Sequence, residues 1–344
     1  MRGRFALLTL SIALIAALAV GTALGSAGIG PRGVLAVLID RLTPLPPPWH
    51  VERWQETVVM DLRLPRVVGG ALVGAALALA GALFQSLLRN PLADPYVIGT
   101  SAGAALGATI SLIFPLRLSL WGFGAISMAA FAGALLAVLL VYNLARMAGE
   151  ASVVALLLAG LAVSSILAAA MVLLLVTVGE LQVRLPQLFT FLMGGITVNR
   201  WAQLALVAGL LGLGLIAALA LSPYLNAFAL GEEGAAALGV EVERTKATIL
   251  ALGSLLTAAA VTVGGLIGFV GLMVPHAVRL VLGADARLLL PSAALAGASF
   301  LVLADLGART LLAPGEIPVG VITGLVGGPF FLYLLRRYQR GYAL

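Results

Sequence analysis

The chain is dominated by long apolar runs that carry no charge at all: residues 5–31, 67–88, 95–116, 118–145, 151–179, 201–231, 247–278, 288–304 and 317–335. A helix needs about 20 apolar residues to cross roughly 30 Å of hydrocarbon, so most of these runs are long enough. The run 288–304, at 17 residues, sits at the lower limit. Inside lipid the backbone must satisfy its own hydrogen bonds, which leaves helices or a closed barrel. The runs lack strand-type alternation, so helices are expected. Charged residues make up only 10% of the 344, against 62% hydrophobic, too few to clothe a soluble globule of that size. A soluble enzyme and a disordered chain are both excluded.

Two regions need finer division. The run 247–278 contains Gly264, Gly265, Gly268, Gly271 and Pro275, too many breakers for one straight helix. It predicts a span to about Val263, a glycine-rich bend, and a short helix ending near Leu282. The segment from Pro186 to Gly195 is apolar but too short to span, so it is expected to be re-entrant or interfacial. The fold class is therefore all-α: a polytopic membrane protein of about ten helices, some of them half-helices. An even number puts both ends on one side. With Arg2 and Arg4 inside, eleven basic residues fall inside and nine outside, too even a split to orient the chain by itself. The cluster Arg336, Arg337 and Arg340 favours a cytoplasmic C-terminus. The apolar run behind Arg2 and Arg4 exceeds a signal-peptide core and predicts a retained first span.

What is missing narrows the chemistry. There is no cysteine, so disulfides and thiolate sites are excluded. His50 and His276 have no partner at metal-ligand spacing, and His276 is expected to be a hydrogen-bonded structural histidine. The only lysine, Lys246, follows Glu243-Arg244-Thr245 and forms no phosphate-binding loop. The net charge of +6 comes almost wholly from arginines scattered over short loops, which fits a membrane protein rather than a nucleic-acid partner. No metal, cofactor or catalytic constellation is expected. The long runs hold no carboxylate, and Asp305 with Arg309 reads as an i,i+4 pair near an interface. Any uphill work would then need energy from a partner.

Glycines at helical spacing (Gly70 and Gly74; Gly99, Gly103 and Gly107; Gly320, Gly324 and Gly328) predict close helix packing, or the lining of a path or moving interface. The most informative loop is Leu230–Val240, between two spans. It reads as a short helix, with Glu232 and Glu233 in its first turn and Gly239 as a left-handed stop. Such an element is either an ordinary surface helix or a rigid knob for a groove on a soluble partner.

Five segments occur in order: Arg63-Leu64-Pro65-Arg66, Asn90-Pro91-Leu92-Ala93-Asp94-Pro95, the Leu230–Gly239 loop, Gly268-Phe269-Val270-Gly271-Leu272-Met273-Val274-Pro275-His276, and Glu316-Ile317-Pro318-Val319-Gly320. Through these, residues 50–336 resemble the FecCD-type permeases, the membrane subunits of ABC importers for iron-siderophores, haem and cobalamin. The resemblance implies one transmembrane permease domain over 1–344, with a cytoplasmic coupling loop at about 226–246. It also implies a homodimer in the inner membrane with both termini cytoplasmic, two ABC ATPase subunits and a substrate-binding protein.

By that resemblance Arg63, Arg66 and Arg309 receive glutamates of the binding protein. Leu230, Gly231, Glu232, Glu233, Ala237, Leu238 and Gly239 seat in the ATPase, and Asn90 and Leu92 form a cytoplasmic gate. The chain departs from the family pattern at Ala286, where histidine is common, and at Phe191–Gly195, which lacks the usual tryptophan and serine. The competing reading is a gradient-driven or passive transporter that works without an ATPase.

Overall fold

A computed structural model describes residues 2–25, 27–44, 46–47, 49–114, 119–147, 152–179 and 181–339. Arg340 of the C-terminal basic cluster lies outside them. Among the described residues seven helices are long and apolar enough to cross a membrane, and three shorter apolar helices accompany them. The chain opens with α1 (Arg2–Ala23), α2 (Pro31–Leu42) and α3 (Arg53–Thr57). A π-helical segment, Val58–Arg63, joins α3 to α4 (Leu64–Leu87), making one continuous 35-residue helix. At 1.5 Å per residue such a helix is about 50 Å long, so its early turns, which hold Arg53, Glu56 and Asp61, extend past a hydrocarbon layer of roughly 30 Å.

The order continues with α5 (Thr100–Ile113), α6 (Ala125–Met147), α7 (Val153–Thr177), α8 (Leu181–Leu192) and α9 (Trp201–Ala220). Then follow α10 (Ser222–Phe228), α11 (Glu232–Ala237), α12 (Val242–Gly264), α13 (Val270–Leu282), α14 (Ala286–Thr310) and α15 (Val319–Gln339). The expected run 118–145 begins differently: Ser119–Leu120 pairs with Phe123–Gly124 in a small antiparallel hairpin, and the helix starts only at Ala125. Trp121 (φ 51°) and Gly122 (φ 90°) both have positive φ, the backbone of the tight turns that match strand twist.

The helix expected at 288–304 runs instead through 25 residues to Thr310. The charge-free run stops short of the helix end because Asp305 and Arg309 lie inside the helix, where they form the expected i,i+4 pair and are both buried. The expectation that no carboxylate lies within a span is corrected with it.

At the centre α4 is packed between α12, α13 and α14, and most of its residues are buried. Backbones meet here without side chains between them. A methyl group on Gly74 or Gly297 would collide with the other's carbonyl, and one on Gly81 would collide with that of Gly271. Close van der Waals approach of this kind replaces the hydrophobic drive that lipid cannot supply. The third glycine row behaves differently. Gly320 abuts the Met193 carbonyl, but Gly328 has open space beside it, and Gly327 takes the close contact with Phe269.

The break between α12 and α13 falls at Gly265, whose φ is +63°, within the expected glycine-rich bend, and α13 ends at Leu282 as expected. Non-helical backbone in a bundle of this kind must find partners. The amide of Leu266 donates to the Phe191 carbonyl (2.9 Å), and those of Val319 and Gly320 donate to Gly194 (3.0 Å) and Met193 (3.1 Å). The amide of Thr197 donates to Val263 (2.9 Å), and the Tyr96 hydroxyl accepts from Ile267 (3.2 Å). One knot therefore joins the end of α8, the α12–α13 break and the start of α15. By contrast α7 has only 11% of its apolar stretch buried, leaving its sides to lipid or another chain.

Candidate functional site

Charged side chains collect at the two ends of the bundle. At one end α1 finishes with carbonyls that have no partner in their own helix and lie at its negative pole, a place suited to cations. Arginines take that place. Arg63 donates through Nη1 to the carbonyls of Thr22 (3.2 Å) and Ala23 (3.4 Å), and Arg309 donates through Nη2 to that of Gly21 (3.2 Å). Gly25 leaves room for them, since a Cβ there would meet the Arg63 guanidinium at 2.7 Å.

Between the cations sits Asp305, fully buried. It accepts from Arg66 Nε (3.0 Å) on one oxygen and lies 2.8 Å from Arg309 Nε on the other. Arg66, 22% exposed, also donates to Glu316 (2.8 Å) at the rim. The three arginines and Glu316 line one cavity of about 360 Å³, and Arg63 Nη2 has no hydrogen-bond partner among the described residues.

All three expected docking arginines thus come together. Arg63 and Arg309 are buried and hold α1, so Arg66 is the member that reaches the surface. Thr197 lines this cavity and also a second one of about 570 Å³, whose walls include Ser111, Ser127, Arg184, Gln187 and Asn199. Neither cavity could be read from sequence, because their walls come from distant helices.

At the other end the chain leaves α10 and turns at Gly231 (φ 97°) into α11. Glu232 and Glu233 occupy the first turn. The helix closes in a Schellman motif, with Gly239 (φ 82°) donating to the Ala236 carbonyl (2.9 Å) and Val240 to that of Ala235 (3.1 Å). Ala235 is fully buried, while Leu230 and Leu238 are 68% and 65% exposed. This is a short rigid element with two apolar side chains offered outward.

Its anchor was missed from sequence. Lys246, 1% exposed, lies 3.0 Å from Glu232 and 2.5 Å from Glu243, tying α11 to the first turn of α12. The signal was present: a lone lysine three residues after a glutamate, on the apolar side of a helix.

Nearby, the loop after α4 is shaped by Arg89 (φ 50°) and by Asn90, whose side-chain oxygen accepts from the amide of Leu92 (2.9 Å). Leu92 is 55% exposed. Burial pushes the Asp94 carboxyl up to about 6, against the opposing effect of the Tyr96 amide that it accepts (2.8 Å), and burial pushes the Tyr96 hydroxyl up as well. His276 corrects its expectation. It is buried, with its ring edge-on to Phe330 at 6.2 Å, and neither ring nitrogen has a hydrogen-bond partner among the described residues.

A bundle of apolar helices with broken segments knitted at its centre, and with differently charged ends, defines a multi-pass membrane transport protein. Residues 10–337 match the FecCD transport family, and the chain belongs to it. It is 47% identical over 281 residues to the cobalamin import system permease protein BtuC of Halobacterium salinarum, covering 82% of this chain and 74% of that one. It is 40% identical over 318 residues to the hemin transport system permease protein HmuU of Yersinia pestis, covering 92% of each. Among solved structures, a metal-chelate-type ABC transporter in an inward-facing conformation matches with a TM-score of 0.79 at 29% identity, covering 96% of this chain and 98% of that one. The chain is thus an ABC-importer permease, a transport subunit rather than an enzyme, in a system whose ATPase is a separate chain.

Proposed function

We propose that this permease works as a homodimer in the inner (cytoplasmic) membrane, with both termini cytoplasmic and residues 1–344 forming one transmembrane domain. It passes an iron chelate (siderophore or haem) or cobalamin from a substrate-binding protein to the cell interior. The observation that carries this reading is the contrast between the ends: a cavity lined by Arg63, Arg66 and Arg309, and opposite it an anchored helix with exposed Leu230 and Leu238.

At the arginine end, Arg66 meets an incoming carboxylate by exchanging Glu316, while Arg63 and Arg309 keep the floor of the cavity positive. Arginine's fixed fork suits such carboxylate pairing. At the opposite end, the segment Leu230, Gly231, Glu232, Glu233, Ala237, Leu238 and Gly239, within the coupling loop 226–246, seats in an ATPase subunit, one per protomer. Closure of two ATPase subunits moves α11 and, through Lys246, α12. Asn90 and Leu92 narrow the path beside that end.

Asp305 is the one feature that would favour a gradient-driven transporter, as a carboxylate inside a span. Locked between Arg66 and Arg309, it neutralises cations and is not placed to carry a proton.

Proteoliposomes holding the permease and its ATPase should accumulate cobalamin, haem or a ferric siderophore only with the matching binding protein and ATP. Uptake without nucleotide would reject the importer reading in favour of a passive carrier. Because the chain has no cysteine, Glu233→Cys and Glu316→Cys can be labelled singly in intact cells. The outer reagent should reach the second and not the first.

A further inference from the structure

Beside the coupling segment lies a third cavity, of about 350 Å³, whose walls include Gln85, Arg89, Ala229, His276 and Arg279, with no carboxylate among the described residues that line it. Its polar groups are conspicuously unmatched. His276 and Gln85, each 2% exposed, leave both ring nitrogens and the amide oxygen without partners among the described residues, and there Arg279 leaves Nε unpartnered while its Nη2 donates to Ser86 Oγ (3.1 Å). Buried polar atoms are ordinarily paired, since leaving them bare costs free energy. Two arginines on the walls of a hollow that no described carboxylate lines, with Arg279 keeping an unpartnered donor, suit an anion.

We propose that this cavity is a socket for an acidic side chain of the ATPase subunit, gripped by Arg279 from α13 and Arg89 from the loop after α4. The proposal rests on the coupling role of the Leu230–Gly239 segment and names a contact beyond it. A carboxylate is the matching chemistry because guanidinium donors form strong, charge-assisted hydrogen bonds to its oxygens. A protein source follows from position. Ala229 is a wall of the cavity, and the Arg89 guanidinium stands 3.2 Å from where a Cβ on Gly231 would lie, so a partner that grips α11 also covers the cavity. Arg89 is exposed and held at a positive φ unusual for a side-chain-bearing residue, which keeps it at that mouth. An entering carboxylate would join α4, α13 and the start of α11 through one ion cluster.

The test uses the full permease in nanodiscs with its own ATPase. Arg89→Gln and Arg279→Gln together should weaken ATPase binding roughly tenfold or more and flatten its dependence on salt. Arg279→Lys should retain much of the affinity. Charge reversal of one acidic residue on the ATPase should be rescued by Arg279→Glu. If Arg279→Gln lowers the unfolding temperature, Arg89→Gln alone decides, because that residue lies beyond the helix end.

Native affinity in both glutamine variants, with no ATPase acid showing rescue, would overturn the socket while leaving the importer reading intact. Failure of the unaltered permease to bind the ATPase at all would instead overturn that reading. Stabilisation of the ATPase-free permease by inorganic phosphate or phosphatidylglycerol vesicles, lost in the double variant, would reassign the cavity to phosphate and also overturn the proposal.

Discussion

The two ends of this bundle use charge in opposite ways. At the arginine end, Asp305 is surrounded by Arg66 and Arg309, and cations cap the last carbonyls of α1. At the coupling end, the acids stay at the surface, with Glu232 37% and Glu243 44% exposed, and the cation Lys246 is the buried member. A buried ion needs its partners, because an unpaired charge out of water is strongly unfavourable, whereas an exposed one can rehydrate when a partner is lost. The arginine end should therefore be brittle and the α11 end adjustable.

The sharpest way to break this contrast is Asp305→Asn. It leaves Arg66 and Arg309 facing each other without their shared anion, and roughly 3–5 kcal/mol of destabilisation is expected. Thermal unfolding in detergent and yield in membranes should both fall. A variant as stable as the parent would mean that the cluster is not structural.

Next in size is Lys246→Met. Its glutamates can hydrate, so the loss should be nearer the roughly 1.5–3 kcal/mol of a charged hydrogen bond. The expected signature is local: faster amide exchange over 232–240 and more ATP hydrolysed per cargo moved. Slower exchange, or unchanged stoichiometry, would remove Lys246 from the coupling linkage.

A smaller effect is expected from Arg66→Gln, because Arg66 is partly hydrated and its Glu316 partner is 47% exposed. Exposed pairs contribute about 1 kcal/mol or less, so affinity for the binding protein should fall about fivefold at most. The loss should be larger at low salt, where screening is weak. Equal loss at all salt concentrations would point to altered packing rather than to docking.

The same contrast explains what was legible beforehand. Apolar runs reveal helices as long as charges mark their ends. The rule located the α12–α13 break and the end of α13 closely, since glycine and proline act locally. It failed where charges lie within helices. Arg63 and Arg66 lie inside a continuous helix, Asp305 and Arg309 lie inside α14, and α2 carries exposed Arg32, Asp40 and Arg41, so all of it beyond Pro31 falls outside every run. The Gly239 stop was readable because a Schellman turn is specified by adjacent residues. Lys246 with Glu232, and Asp305 with Arg66, are separated by 14 and 239 positions, and only the fold brings them together.

A last test asks whether the α11 end of the bundle holds an acid that lacks a cation. Asp94 has no ion-pair partner among the described residues, and burial pushes its carboxyl from 3.8 up to about 6. A carboxyl raised on folding binds its proton more tightly in the folded chain than in the unfolded one. Its contribution is therefore favourable below about pH 4, is lost as pH rises through about 6, and stays constant above that. Asp94→Asn mimics the protonated form at every pH. The variant and parent should unfold at similar temperatures near pH 4, the variant should gain an advantage between pH 4 and 6, and the gap should then level off. Because Tyr96 shares the loop and titrates far above this window, it does not disturb the comparison. A gap that opens in the opposite direction, with the parent more stable above pH 6, would mean that Asp94 has a cationic partner after all, and that the gate loop is braced like the arginine end rather than left free to move.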